Sequence, residues 1–291
     1  MKLFRNALLL LLLYLVVDIG RFAVYPDVSR LAESNPGKTA FMEYREAEWR
    51  REGLTDKKIR QRWVPLRKVS PALVKAVLIS EDDKFWKHEG FDYEAIEKAV
   101  ERNMKEGKFK FGASTITQQL VKNLYLSPSK NPIRKVQEAI LTWRIERALS
   151  KRRIIELYVN IAEWGDGIFG IEEAARRHFG TSAAGLSASQ ASKLAAALPN
   201  PVRYQPNGSS SFVRNRFKRI YAIMLKRGIV VPDFQEVMTL PAVPAPDSLT
   251  VGIPQYLIDA ASAPDSSAAM HAERKKRASE SLPPEDAGAV K

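Results

Sequence analysis

Helix-start signals recur along this chain, and paired strand signals do not. Ser70-Pro71 and Asn131-Pro132 each read as an N-cap followed by proline at the first helical position, where the missing N–H costs nothing. Behind the first, Leu73, Val74, Val77 and Leu78 form an apolar stripe; behind the second, Val136, Ile140, Trp143 and Ile145 carry a long helix to about Leu149. Asp92 predicts another start, with Ile96, Val100 and Met104 along one face and Gly107 as the stop. Ser114 opens a helix through Gln118, Gln119 and Asn123, and Ser150 caps one bearing Ile154, Leu157 and Val159. Residues 172–179, 187–198 and 212–227 add three more, residues 233–240 a last turn or two, and residues 39–62 are helical in part. Residues 64–69 read as extended because of Pro65. No convincing strand pair and no internal repeat is found, so the expected fold class is all-α (mainly α).

The N-terminus constrains topology. Lys2 and Arg5 precede an apolar run over residues 7–17, which Asp18 and Arg21 interrupt before Phe22, Ala23, Val24 and Tyr25 continue it to Pro26. A bilayer span needs about 20 mostly apolar residues, and residues 7–25 reach that if Arg21 snorkels to the surface. No small-x-small cleavage site follows, so an uncleaved transmembrane anchor is expected over 1–25, with its positive N-terminus in the cytoplasm and the remainder outside. Residues 26–63 then form a membrane-proximal segment and 64–240 the globular domain. The Pro-, Ala-, Ser- and charge-rich residues 241–291 cannot bury enough surface to offset chain entropy, so they read as a disordered tail.

With 46 Lys and Arg against 33 Asp and Glu, the net charge is +13, which favours an anionic partner. The anchor orientation opposes nucleic acid and leaves an acidic membrane surface or a phosphorylated substrate. There is no cysteine, so thiolate chemistry and Cys-ligated metal are excluded.

Four blocks carry candidate chemistry. Glu81, Asp82 and Asp83 follow the apolar run Ala76-Val77-Leu78-Ile79 and precede Phe85, Trp86, His88 and Gly90. Apolar flanks desolvate carboxylates and favour proton transfer, although alone the stretch also fits a solvated turn at a helix end. The second block, Gly112-Ala113-Ser114-Thr115-Ile116-Thr117-Gln118-Gln119-Leu120-Val121-Lys122-Asn123, puts a glycine loop at a helix N-terminus, where free N–H groups attract anions. Thr115, Gln118 and Lys122 are three and four apart and share a face suited to a phosphate-bearing ligand, or to nothing beyond solvent. In the third, Lys130, Arg134, Lys135 and Glu138 form either a pyrophosphate-binding cluster or an ordinary surface ion pair. The fourth, Ile154-x-Glu156-x-Tyr158-x-Asn160, reads alone as a half-buried helix.

In this order the blocks resemble the motifs of glycosyltransferase family 51, the peptidoglycan glycosyltransferases. Gly170-x-x-x-Ala174-Ala175 through Phe179-Gly180, then Leu194-Ala195 and Leu198-Pro199, resemble the family's fifth motif. The likeness covers roughly residues 64–206, and the second motif is its most specific part. Ala113 departs from it, standing where the family usually has a second glycine. Too few residues follow Pro206 for the transpeptidase domain of bifunctional members, so the chain resembles the monofunctional biosynthetic transglycosylases.

The resemblance implies a lysozyme-like, two-lobed α domain whose smaller lobe touches the bilayer. It implies lipid II and the growing glycan strand as substrates, with division or elongation proteins as possible partners. Its catalytic residues would be Glu81, as general base, and Glu138. Asp82, Phe85, His88, Ser114, Thr115, Gln118, Gln119, Lys122, Asn123, Lys130, Arg134 and Lys135 would bind substrate. No cofactor is certain, a divalent cation (Mg or Mn) held with help from Glu138 being the one candidate. The site would face the periplasm from the inner membrane. A lysozyme-like hydrolase or lytic transglycosylase is the alternative, and a membrane-tethered basic binding protein a more distant one.

Overall fold

The computed structural model describes residues 2–107, 112–126, 128 and 131–229. The expected last turn over 233–240 and the tail over 241–291 lie outside the described residues. Helix α1 (Lys2–Gly20) runs into a 3₁₀ turn, and the two form a helix long and apolar enough to cross a membrane, with a mean hydropathy of 1.9. Then come α2 (Ala40–Arg51), β1 (Arg60–Gln61), α3 (Pro71–Glu81), α4 (Tyr93–Glu106), α5 (Ile116–Tyr125), α6 (Pro132–Ala148) and α7 (Lys151–Ile161). Strands β2 (Glu163–Gly165) and β3 (Ile168–Phe169) precede α8 (Ile171–Phe179), α9 (Ala188–Ala197) and α10 (Ser211–Lys226). The chain is mainly helical, as expected.

Local chemistry sets most boundaries. Thr39, Asp92, Asn131, Ser150 and Ser187 each accept a backbone N–H of the turn they cap. Gly107 closes α4 in the left-handed conformation. Helix α5 begins one residue later than its sequence predicts. Its cap is Thr115, locked in a capping box with Gln118, and not Ser114.

Helix α5 packs between α6 and α7, while α3 packs on α9 and α9 on α10. Leu73, Ala76 and Val77 of α3 and Ala191, Leu194 and Ala195 of α9 are almost wholly buried; the alanines let these helices approach closely. The face of α4 that carries Val100 and Met104 is uncovered, with those residues 51% and 78% exposed.

The structure adds a small sheet that the sequence did not announce. It has the order β1-β3-β2, with β1 parallel and β2 antiparallel to β3. Its strands are two or three residues long, too short for the alternation by which strands are read. Extended chain was expected over 64–69, but only its start is extended: residues 62–65 lie along α7, Leu66–Lys68 turn into a 3₁₀ helix after Pro65, and the fourth block holds both. Asn160 Oδ1 accepts from Val64 N at 2.8 Å, its Nδ2 donates to the carbonyls of Val64 and Glu156 at 2.8 Å each, and Glu156 Oε2 accepts from Leu66 N at 2.8 Å. At Gly170, whose φ is +79°, a Cβ would meet Asn160 O at 2.7 Å, so α8 can start against this staple only from glycine.

Asn160 is fully buried. Replacing it with alanine strands the N–H and C=O of Val64 away from water, so Asn160→Ala is expected to cost about 2–4 kcal/mol of stability. A denaturant titration monitored by circular dichroism reads that loss as a lower midpoint at unchanged slope.

Candidate active site

Glu81 is the last residue of α3, and three donors meet its carboxylate. Ser80 Oγ donates to Oε1 at 2.7 Å and Arg216 Nη2, from α10, to the same oxygen at 3.0 Å. Gln119 Nε2, from α5, donates to Oε2 at 3.1 Å. Gln119 is itself fixed from behind: the hydroxyl of Tyr158, on α7, donates to its Oε1 at 2.9 Å. The first, second and fourth blocks thus form one directed chain, Tyr158 to Gln119 to Glu81. Tyr158 is buried, and burial, then the charges of Glu81 and Asp82, push its phenol well above the ordinary value, so it stays a donor.

Asp82 takes a different direction. Its Oδ2 accepts from Ile116 N at 2.9 Å, at the first turn of α5, and its Oδ1 lies 2.9 Å from His88 Nε2. His88 Nδ1 accepts from Gly90 N at 3.1 Å, which assigns the ring proton to Nε2 and makes it the donor to Asp82. Thr115 Oγ1 donates to Gly90 O at 2.7 Å, which ties the same turn to α5. Gly90 has φ +91°, and a Cβ there would meet Thr142 Cγ2 at 2.8 Å.

Several residues expected to bind substrate therefore hold the protein to itself. Asp82 and His88 are struts with buried side chains. Phe85 is fully buried, with the Lys151 ammonium over its ring, so no face of it is left for a ligand. Thr115 Oγ1 and Gln118 Oε1 are taken up by the capping box, Thr115 Oγ1 also by Gly90 O, and both residues are buried. The face that α5 offers carries Gln119, Lys122 and Asn123 instead, all three lining an open cavity of about 390 Å³. Phe41, Tyr44, Arg45 and Glu48 of α2 form its opposite wall. Glu163 lies there too: burial pushes its carboxyl up, although Arg45, bonded at 3.0 and 2.7 Å, opposes the shift. A second cavity, of about 320 Å³, exposes Glu81 beside Ser114, Gly112 and Asp92.

The third block closes the other side. Glu138 is buried between Arg134, whose Nη1 lies 3.0 Å from Oε2, and Lys135, which pairs with Oε1. Lys135 Nζ also reaches Ser114 Oγ at 3.4 Å, linking α6 to the cavity that holds Glu81. Lys130 lies outside the described residues. Burial depresses the Lys122 ammonium below its ordinary value, with Arg134 and Lys135 adding to the effect and Glu138 and Glu81 opposing it. A cation held partly desolvated among other cations is favourable ground for an anion. Among the described residues no three carboxylates or histidines converge on a metal position. The oxygens of Glu81, Asp82 and Glu138 already face protein donors.

Residues 50–225 match the family model described as Transglycosylase. The chain belongs to the transglycosylase family. A protein of Nitrosospira multiformis named biosynthetic peptidoglycan transglycosylase is 42% identical over 214 residues, spanning 74% of this chain and 93% of that one. Proteins of the same name from Dechloromonas aromatica and Aromatoleum aromaticum are 48% and 43% identical over 65% and 75% of this chain, covering 82% and 95% of their own lengths. The helical architecture agrees with the lysozyme-like domain expected of a transglycosylase. Within this family domain, sequence reasoning missed Arg216. It stands 135 residues from Glu81 in a helix whose visible signal was its apolar spacing.

The depressed Lys122 ammonium has a defined pH signature. The folded state favours the neutral amine, so the cost of charging it is present at low pH and is relieved as pH rises through the lowered folded value toward the ordinary 10.5. Amine acylation at Lys122, followed by mass spectrometry against pH, is expected to show a midpoint below 10.5, moved upward by saturating inorganic pyrophosphate.

Proposed function

We propose that this transglycosylase polymerises lipid II into β-1,4-linked glycan strands and releases undecaprenyl pyrophosphate. The observation that carries the reading is the pairing of Glu81, held by donors from Ser80, Gln119 and Arg216, with the cationic group of Lys122, Arg134 and Lys135. In this mechanism the growing glycan is the donor and lipid II the acceptor. Glu81 removes the proton from the acceptor 4-hydroxyl as that oxygen attacks C1 of the donor sugar. The C1–O bond to pyrophosphate breaks on the opposite face, so an α-linked donor gives a β product. The leaving group departs with its negative charge and needs charge compensation more than a proton; preorganised cations supply that kind of stabilisation, worth several kcal/mol. Lys122 and Arg134 would meet the phosphates and Lys130 would add to them, while Glu138 keeps Arg134 and Lys135 ordered. The carboxylates near the site are committed to protein donors, and among the described residues they form no cage for a divalent cation.

The relatives' shared name supports the peptidoglycan assignment. A lytic enzyme on a similar scaffold needs a protonated acid at the leaving oxygen. Three donors aimed at Glu81 suit a carboxylate that accepts a proton, which favours the transferase. We further propose a single-pass inner-membrane protein with α1 as the anchor and the catalytic domain in the periplasm, since Lys2 and Arg5 precede the apolar run.

Glu81→Gln keeps the shape and removes the base. Polymer formation from labelled lipid II is expected to fall by at least about 10³-fold with the circular dichroism melt unchanged. Polymer made at the wild-type rate, or cleavage of preformed glycan without any polymer, would sink the assignment.

A further inference from the structure

An acidic side chain in a helix that crosses a bilayer is expensive unless something meets it. Asp18 is such a residue, five positions before the end of the candidate span at Ala23. Its two oxygens are both met. Arg21 Nε lies 3.1 Å from Oδ1, within the same segment. Gln137 Nε2 donates to Oδ2 at 2.8 Å, and Gln137 belongs to α6, between Lys135 and Glu138. Two turns further along α6, Arg144 donates from Nη1 to Phe22 O and from Nη2 to Val24 O, both at 2.9 Å. Phe22 is buried in the core with the Arg21 guanidinium 4.4 Å over its ring. The exit of the anchor is therefore clamped at two heights to the helix that carries the cationic block.

We propose that α1 is part of the substrate-binding architecture, and that Asp18, through Gln137, is a positioning residue for Arg134 and Lys135. This rests on the reading that the substrate is a lipid-linked pyrophosphate. The phosphates of such a molecule sit at a depth fixed by the bilayer. A cationic cluster that serves them must be held at the same depth and the same rotation about its own helix. A flexible tether supplies neither. A polar clamp between the span and α6 supplies both, because hydrogen-bond geometry is far less tolerant of sliding than apolar contact.

The test uses the full chain in phospholipid vesicles. Asp18→Leu keeps the span apolar and removes the acceptor, whereas Asp18→Asn keeps an oxygen for Gln137. Asp18→Leu and Gln137→Leu are expected to raise the KM for lipid II about 5-fold with a smaller change in kcat, and Asp18→Asn to stay near wild type. Wild-type KM in both leucine variants, or equal loss in Asp18→Leu and Asp18→Asn, would overturn the proposal. An independent measurement uses the natural lack of cysteine. A short bis-maleimide is expected to join Asp18→Cys to Gln137→Cys in the vesicle-bound protein, well above the yield for Val16→Cys with Gln137→Cys. Equal yields would refute the docking whatever the activity. If the wild type makes no polymer while the first pair still crosslinks, it is the functional reading that fails and the docking that survives.

Discussion

The site depends on one buried carboxylate, that of Asp82. Asp82 receives the first free N–H of α5 on one oxygen and the ring N–H of His88 on the other. Charge-assisted hydrogen bonds of this kind are worth about 1.5–3 kcal/mol each, and an unpaired buried carboxylate would cost more than they return. The end of α3 and the start of α5, 34 residues apart in sequence, are thereby held at one fixed separation. Glu81 precedes Asp82 and Gln119 follows Ile116, so the strut sets the distance across which Gln119 reaches Glu81. The adjacent acids have unequal work: Asp82 builds, Glu81 faces the cavity, and Asp83 is drawn outward by Arg227, whose two hydrogen bonds hold its carboxyl below the usual range.

Much of the helical framework was legible because its signals are local. Asp92, Asn131, Ser150 and Ser187 precede their helices and accept the N–H groups their residue types are suited to accept. The start of α5 was legible too, in Thr115-x-x-Gln118, which is the capping-box spacing, although Ser114 offers a competing cap one residue earlier. The three-stranded sheet was not legible, since pairs two residues long carry no period. Within the site, the sequence identified which segments come together but not which polar side chains turn outward. Thr115, Gln118, Asp82 and His88 have the residue types of a ligand-binding surface, and each is consumed by the protein's own backbone or a neighbour. A side chain's type gives its capacity for hydrogen bonds; only the fold says who takes them. Arg216 was hidden for the complementary reason, lying in a basic helix where nothing nearby marks one arginine from another.

Charge is distributed around Glu81 with a clear asymmetry. On the α10 side Arg216 bonds directly to the carboxylate. On the α5 and α6 side the cations stand off: Arg134 and Lys135 are paired to Glu138, and Lys122 lies among them under a desolvation penalty. A cation that is costly in the free protein gains more than an exposed one when an anion arrives, because part of the cost of stripping its water has already been met by folding.

Ser80 has a consequence for the proton itself. Its single hydroxyl hydrogen faces two acceptors, Glu81 Oε1 at 2.7 Å and Ala195 O at 3.1 Å. While the carboxylate is bare, the hydroxyl points at it. Once Oε1 carries a hydrogen of its own, the hydroxyl rotates to the carbonyl and offers a lone pair in exchange, with no heavy atom displaced. Gln119 cannot make that exchange, because its amide is held end-on by Tyr158 and its N–H stays committed to Oε2. The two oxygens of Glu81 are thus inequivalent: Oε2 faces the fixed amide of Gln119, while Oε1 faces both the Arg216 guanidinium and a hydroxyl that can switch sense.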